Sequence, residues 1–172
     1  EWPPEIYFQF EDDLMDAGPR AQHGVAICYP TFDDGIVGRA LLLDGDGDGV
    51  YVGGPDGGDN FVLSGNYTEM AWVRVEPVED APDGDNGVRT ILSKLLDEAP
   101  WRIDVTVNVD EDTHGFWVKA AQGETPSGRV QGRHAHDGGV ISVTTIEDGQ
   151  FHHVAVAFDQ DSQAICRTFS AI

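Results

Sequence analysis

Between residues 101 and 109 the chain alternates without a break. Trp101, Ile103, Val105, Val107 and Val109 fall on one side, and Arg102, Asp104, Thr106 and Asn108 on the other. Side chains of an extended strand point to opposite faces in turn, so a period of two is the mark of a strand with one apolar face. A helix would repeat its apolar residues every three or four positions. A looser form of the same rhythm recurs at residues 6–10, 39–43, 50–52, 67–75, 88–95, 115–121, 140–146 and 151–158. Clusters rich in Gly, Pro, Asn and Asp close many of these segments, in keeping with 21 glycines and 9 prolines. No segment keeps a helical period over ten residues, and residues 91–98 have room for one turn at most. Many short strands between turns predict an all-β chain folded as a two-sheet antiparallel β-sandwich. A length of 172 residues suits one domain, taken here as residues 1–172.

Two stretches read as polar loops, residues 79–87 and 123–139. In residues 67–75, Met70 and Trp72 share one face while Ala71, Val73 and Val75 share the other. Apolar residues on both faces predict a central strand covered from two sides, with Trp72 and Trp101 in the core.

The formal net charge is -21, from 31 acidic against 10 basic side chains. Such a surface repels nucleic acid and anionic membranes, so neither is an expected partner. It serves as a solubilising coat, as in proteins that work in high salt, and it also supplies oxygen ligands for a hard cation such as calcium. No apolar run approaches the ~20 residues that span a bilayer, so no membrane insertion is expected. The chain begins at Glu1 without a leader, and the expectation is a signal peptide removed or lying outside this sequence. Cys28 and Cys166 either form one bridge or remain two buried thiols.

Several separated motifs resemble one family. The opening Tyr7-Phe8-Gln9-Phe10-Glu11-Asp12-Asp13 resembles the first strand and turn of laminin-G-like jelly rolls. His23-Gly24, Gly35, Gly38 and Ala40-Leu41-Leu42-Leu43-Asp44-Gly45 resemble their second block, and Asp48-Gly49-Val50-Tyr51-Val52 a strand entry with Gly49 inserted. Tyr67-Thr68-Glu69-Met70-Ala71-Trp72-Val73 is similar to the tryptophan strand, and Arg89-Thr90-Ile91-Leu92-Ser93-Lys94 to the strand after it. Asp148-Gly149-Gln150-Phe151-His152-His153-Val154-Ala155-Val156-Ala157-Phe158-Asp159 resembles the most recognisable block, with Phe151 where tryptophan is usual. The resemblance covers about residues 6–159. It implies a concanavalin-A-like jelly roll, related to the pentraxins, in one module of a larger secreted or cell-surface protein. The implied role is binding a glycan or a cell-surface protein rather than catalysis. Residues 160–172 do not match the family's further strands, and the expectation there is an atypical or truncated end.

Calcium is a candidate cofactor, with two candidate sites. The run Asp44-Gly45-Asp46-Gly47-Asp48-Gly49 begins like an EF-hand loop, but Pro55 stands where the bidentate carboxylate would be needed. Asp44, Asp46 and Asp48 on a glycine turn remain either calcium ligands or a solvated turn. The resemblance to pentraxins makes Asp97 and Glu98 the second pair; the alternative is an exposed acidic turn. For a sugar, the expected site is Trp117 on the polar side of its strand, with Arg102, Asp104 and Asn108 on a neighbouring strand. An aromatic face stacks on the apolar C–H face of a pyranose, and the polar groups would bond its hydroxyls. The alternative is Trp117 as core. His152 and His153 face opposite sides of one strand and cannot chelate together. His134 and His136 can share one face and are a candidate pair for a transition metal; the alternative is chance spacing, since no third ligand of suitable spacing accompanies them. A glycoside hydrolase of this fold needs two carboxylates across the scissile bond. Asp104 alternates with Thr106 and Asn108 instead, so an enzyme is not expected.

Overall fold

The computed structural model describes residues 4–44, 47–53, 65–76, 88–94, 114–119, 129–134, 140–146, 149–159 and 164–165; within several strands the description is of the backbone. Among the described residues every regular element is a β-strand, all pairings are antiparallel, and there is no helix. The expectation of an all-β chain holds to that extent. The chain divides into two compact units, Glu1–Val62 and Leu63–Ile172.

The first unit contains β1 (Gly24–Ile27), β2 (Thr31–Asp34), β3 (Arg39–Leu42) and β4 (Gly49–Val52). β1 pairs with β4, aligning Val25 with Tyr51, and β2 pairs with β3, aligning Asp33 with Ala40. The hairpin between β2 and β3 closes with the Gly35 amide donating to the Gly38 carbonyl at 2.9 Å, and Gly38 takes φ 65°, a conformation open to glycine. Residues 6–10, expected to form a strand, make a single bridge between Phe8 and Asp16. The reason is local: Phe10 and Asp12 take positive φ, which ends an extended ribbon at once.

The second unit contains β5 (Tyr67–Arg74), β6 (Val88–Lys94), β7 (His114–Lys119), β8 (Arg129–His134), β9 (Val140–Thr145), β10 (Phe151–Asp159) and β11 (Ala164–Ile165). One sheet has the order β11-β10-β5, and the other is the meander β6-β7-β8-β9. β8 lies inside residues 123–139, where the sequence pattern predicts a loop. Its single aliphatic residue, Val130, is fully buried, and the Val130 amide donates to Ser142 Oγ at 3.0 Å. Pairing with β7 on one side and β9 on the other makes a strand of a segment with little apolar pattern of its own.

The core of this unit is an apolar cluster of Val130, Ile146, Val154, Val156 and Phe158, with Tyr67, Ala71, Val73, Val75 and Ile91 packed against it. Both sheets contribute, through β5 and β10 on one hand and β6 and β8 on the other. The β6–β7 register slips between Thr90 and Leu92, and Ile91, the residue at that irregularity, packs against the cluster. Burying such side chains contributes about 1.5–3 kcal/mol each relative to leaving them exposed. Burial also pushes the Tyr67 hydroxyl pKa upward, and the Glu69 carboxylate adds to the effect.

Candidate functional site

The register of β5 against β10 decides what the outer face of their sheet presents. Val154 sits opposite Ala71, His152 opposite Val73, and Phe158 opposite Tyr67, all turned to the core side. Alternation then places Thr68, Met70, Trp72 and Arg74 of β5 outward, opposite Ala157, Ala155, His153 and Phe151 of β10. The burial pattern of β5 follows this alternation residue by residue. Trp72 is 47% exposed and Met70 61% exposed. Met70 and Trp72 share one face, as alternation predicts, but Trp72 is not in the core where it is expected. The structure corrects that expectation: the smaller Ala71 and Val73 occupy the core side, and the indole lies outside. Among the described residues β5 pairs with β10 alone.

The outward residues form an aromatic platform with a charged rim. Trp72 packs on His153 with ring centroids 5.1 Å apart and planes tilted by 56°. At the next outward pair, two register positions further on, the Arg74 guanidinium carbon lies 5.3 Å from the centre of the Phe151 ring, within range of a cation–π contact. Arg74 Nε is 3.1 Å from Glu76 Oε1, and the Glu76 side chain is 68% exposed. The turn into β10 fixes this rim to the sheet. The Gly149 amide donates to the Val75 carbonyl at 3.0 Å, and Gly149 takes φ 73°. A Cβ added at Gly149 would stand 3.0 Å from Glu76 Oε2. His152, on the opposite face of β10, is buried across from Val73. The two adjacent histidines thus look to opposite sides of the strand.

The expected glycan and calcium residues distribute as follows. Trp117 lies in β7, between β6 and β8, with Thr90 and Gln131 as its register partners. Arg102, Asp104 and Asn108 lie outside the described residues, as do Asp46, Asp97, Glu98 and His136. Asp44 is exposed and Asp48 half-buried, and Asp48 Oδ1 accepts the Tyr29 amide at 2.9 Å, next to the last β1–β4 pair. Among the described residues no group of three His, Cys, Asp or Glu side chains converges as metal ligands would. Cys28 is exposed rather than buried, and Cys166 lies outside the described residues. His134, read as a loop residue, ends β8 in register with His114.

Two polar centres organise the first unit. The Asp16 side chain accepts amides from Tyr7 at 2.8 Å and Gly18 at 2.7 Å on Oδ1, and from Gln22 at 2.9 Å on Oδ2. Desolvation acts to raise its pKa, but the three backbone hydrogen bonds and nearby His23 outweigh that and hold it below the usual value. Arg39 reaches Asp12 at 3.0 Å, Asp34 at 2.9 Å and the Phe32 carbonyl at 2.9 Å, while its amide donates to Glu11 at 3.2 Å. The Asp12 hydrogen bond leads the effects that push the Arg39 pKa upward.

Comparison with protein-family models, with curated proteins and with solved structures found no match to this chain.

Proposed function

We propose that the protein is a non-catalytic, extracellular binding module for a carbohydrate or glycoconjugate, built as a concanavalin-A-like two-sheet sandwich. The observation that carries the binding role is the outward Trp72–His153 platform with the Arg74–Glu76 rim beside it. A half-exposed indole on a sheet face offers an apolar plane, which matches the C–H face of a pyranose. The guanidinium donates hydrogen bonds and the carboxylate accepts them, which suits a ring bearing adjacent hydroxyls. Support for the sandwich comes from the apolar cluster drawn from both sheets of the second unit. A flat face on a strand pair suits binding better than bond cleavage, which needs paired acids on either side of a substrate.

The test is a glycan array probed with the intact chain and with Trp72→Ala, each with and without a calcium chelator. We expect binding to at least one glycan class, weakened tenfold or more by Trp72→Ala, equivalent to about 1.4 kcal/mol. Because Trp72 is outside the core, the variant should keep the parent melting temperature. Loss of binding on chelation would add calcium to the site. Silence across the array, with capture of a defined protein partner instead, would make the module adhesive and overturn the glycan reading.

A further inference from the structure

We infer that the glycan held at the β5–β10 face is electrically neutral, not a uronate, sialylated or sulfated chain; this rests on the glycan reading just given. Among the described residues the cation beside the platform is Arg74, and the structure shows it already engaged. Its Nε lies 3.1 Å from the Glu76 carboxylate, and its guanidinium sits over the Phe151 ring. A site for an anionic sugar needs a cation whose charge is left for the ligand, as in the bidentate pairing of arginine with a carboxylate or sulfate. Here an anionic ligand would compete for that charge with Glu76, a carboxylate two residues along the chain from Arg74.

The charge of the whole chain acts in the same direction. At a net charge of -21 a polyanion is repelled on approach, over a Debye length of about 8 Å at physiological salt. A neutral ring pays no such penalty, because stacking on Trp72 and hydrogen bonding to Arg74 and Glu76 need no net charge on the ligand. The Arg74–Glu76 pair then works as one donor and one acceptor group for hydroxyls, and its ion pair keeps both side chains in place before binding.

The experiment titrates the intact chain against two oligosaccharide panels, one neutral and one of uronate or sulfated chains. Each titration runs from about 50 mM to about 500 mM NaCl, a range that shortens the Debye length about threefold. The expected result is binding to neutral members that Trp72→Ala abolishes and Trp72→Phe retains, with Kd constant within about twofold across the salt range. Glu76→Gln should raise affinity for the anionic panel at low salt by threefold or more, since it removes the carboxylate charge that stands 3.1 Å from Arg74 Nε. Binding that depends on Trp72 but is confined to anionic members would overturn the neutrality inference and leave the glycan reading standing. So would a Glu76→Gln variant with no gain for anions. Absence of Trp72-dependent binding to either panel would remove the glycan reading itself.

Discussion

Among the described residues of the first unit, one side chain is buried, and it is the carboxylate of Asp16. In the second unit the buried set is Val130, Ile146, Val154, Ala155, Val156 and Phe158, with Ser142 and His152. The contrast extends to the backbone. All four described non-glycine residues with positive φ, Phe10, Asp12, Ala21 and Cys28, belong to the first unit. Such conformations cost of order 1–3 kcal/mol each and persist where other contacts over-determine them. Asp16 ties three amides drawn from residues 7 to 22, and Arg39 joins Asp12 to Asp34, so polar bonds perform that fixing. Meanwhile apolar side chains such as Val25, Ile27 and Tyr51 stay largely exposed on the β1–β4 ribbon. An irregular chain can therefore be held by a few directional bonds, whereas regular strands are held by burial.

The strongest way to break this comparison is to remove a large buried side chain. Phe158 is buried, stacks on Tyr67 with centroids 5.4 Å apart, and lies in register with it. Phe158→Ala should destabilise the second unit by about 3–5 kcal/mol, the range for emptying an aromatic site in a core. Denaturant unfolding followed by the amide exchange of β10 would measure it. A loss below about 1 kcal/mol would mean that the cluster does not hold this unit together.

Next in size is Asp16, where the expected signature is a pH dependence confined to the first unit. The folded pKa lies below the ordinary aspartate value, so the charged carboxylate is the form that folding favours. Its contribution is complete above that value and is lost as pH falls from there through the lower folded pKa. Asp16→Ala strands the amides of Tyr7, Gly18 and Gln22, at about 1–3 kcal/mol for groups left without a partner. Hydrogen exchange at those three amides should accelerate at neutral pH in the variant and, in the parent chain, only below about pH 4. Protection that stays equal to that at pH 7 down to a pH at which the carboxylate is protonated would show that the carboxylate is not the anchor.

How far the sequence disclosed this arrangement depends on whether a segment's own pattern or its neighbours made it a strand. β5 and β10 announce themselves, because Tyr67, Ala71 and Val73, like Val154, Val156 and Phe158, recur at a period of two. β8 does not. Val130 is its lone aliphatic, and its strand character comes from the ladders on either side. β1 and β2 escaped notice for a related reason: four-residue strands with exposed apolar side chains carry almost no periodic signal. Trp72 shows a different limit. Alternation grouped it with Met70, but it could not say which face was buried, since both were apolar. That choice is made across strands, where Val154 meets Ala71 and turns the indole outward. The expected sugar residue Trp117 has a place in the sheet interior of β7, while Thr90 and Gln131, its register partners, were not foreseen as neighbours.

The smallest predicted effect refines the comparison, because it concerns a backbone position in the unit otherwise held by burial. Gly149 sits at φ 73° in the turn before β10, and its amide donates to the Val75 carbonyl at the end of β5. An L-residue in this conformation brings its Cβ too near the following carbonyl, at about 1–2 kcal/mol. At this site the added carbon would also stand 3.0 Å from Glu76 Oε2, so the carboxylate must shift away. Gly149→Ala should therefore cost about 1 kcal/mol in stability and loosen the Arg74–Glu76 pair. Asparagine tolerates the left-handed region better than alanine does, so Gly149→Asn should recover part of the stability. It still carries a Cβ, so it should not restore the position of Glu76. Thermal unfolding separates the two variants on the first count, and affinity for a neutral oligosaccharide reads the second. If alanine and asparagine cost the same, the left-handed backbone is not what glycine supplies here, and crowding against Glu76 accounts for the whole effect.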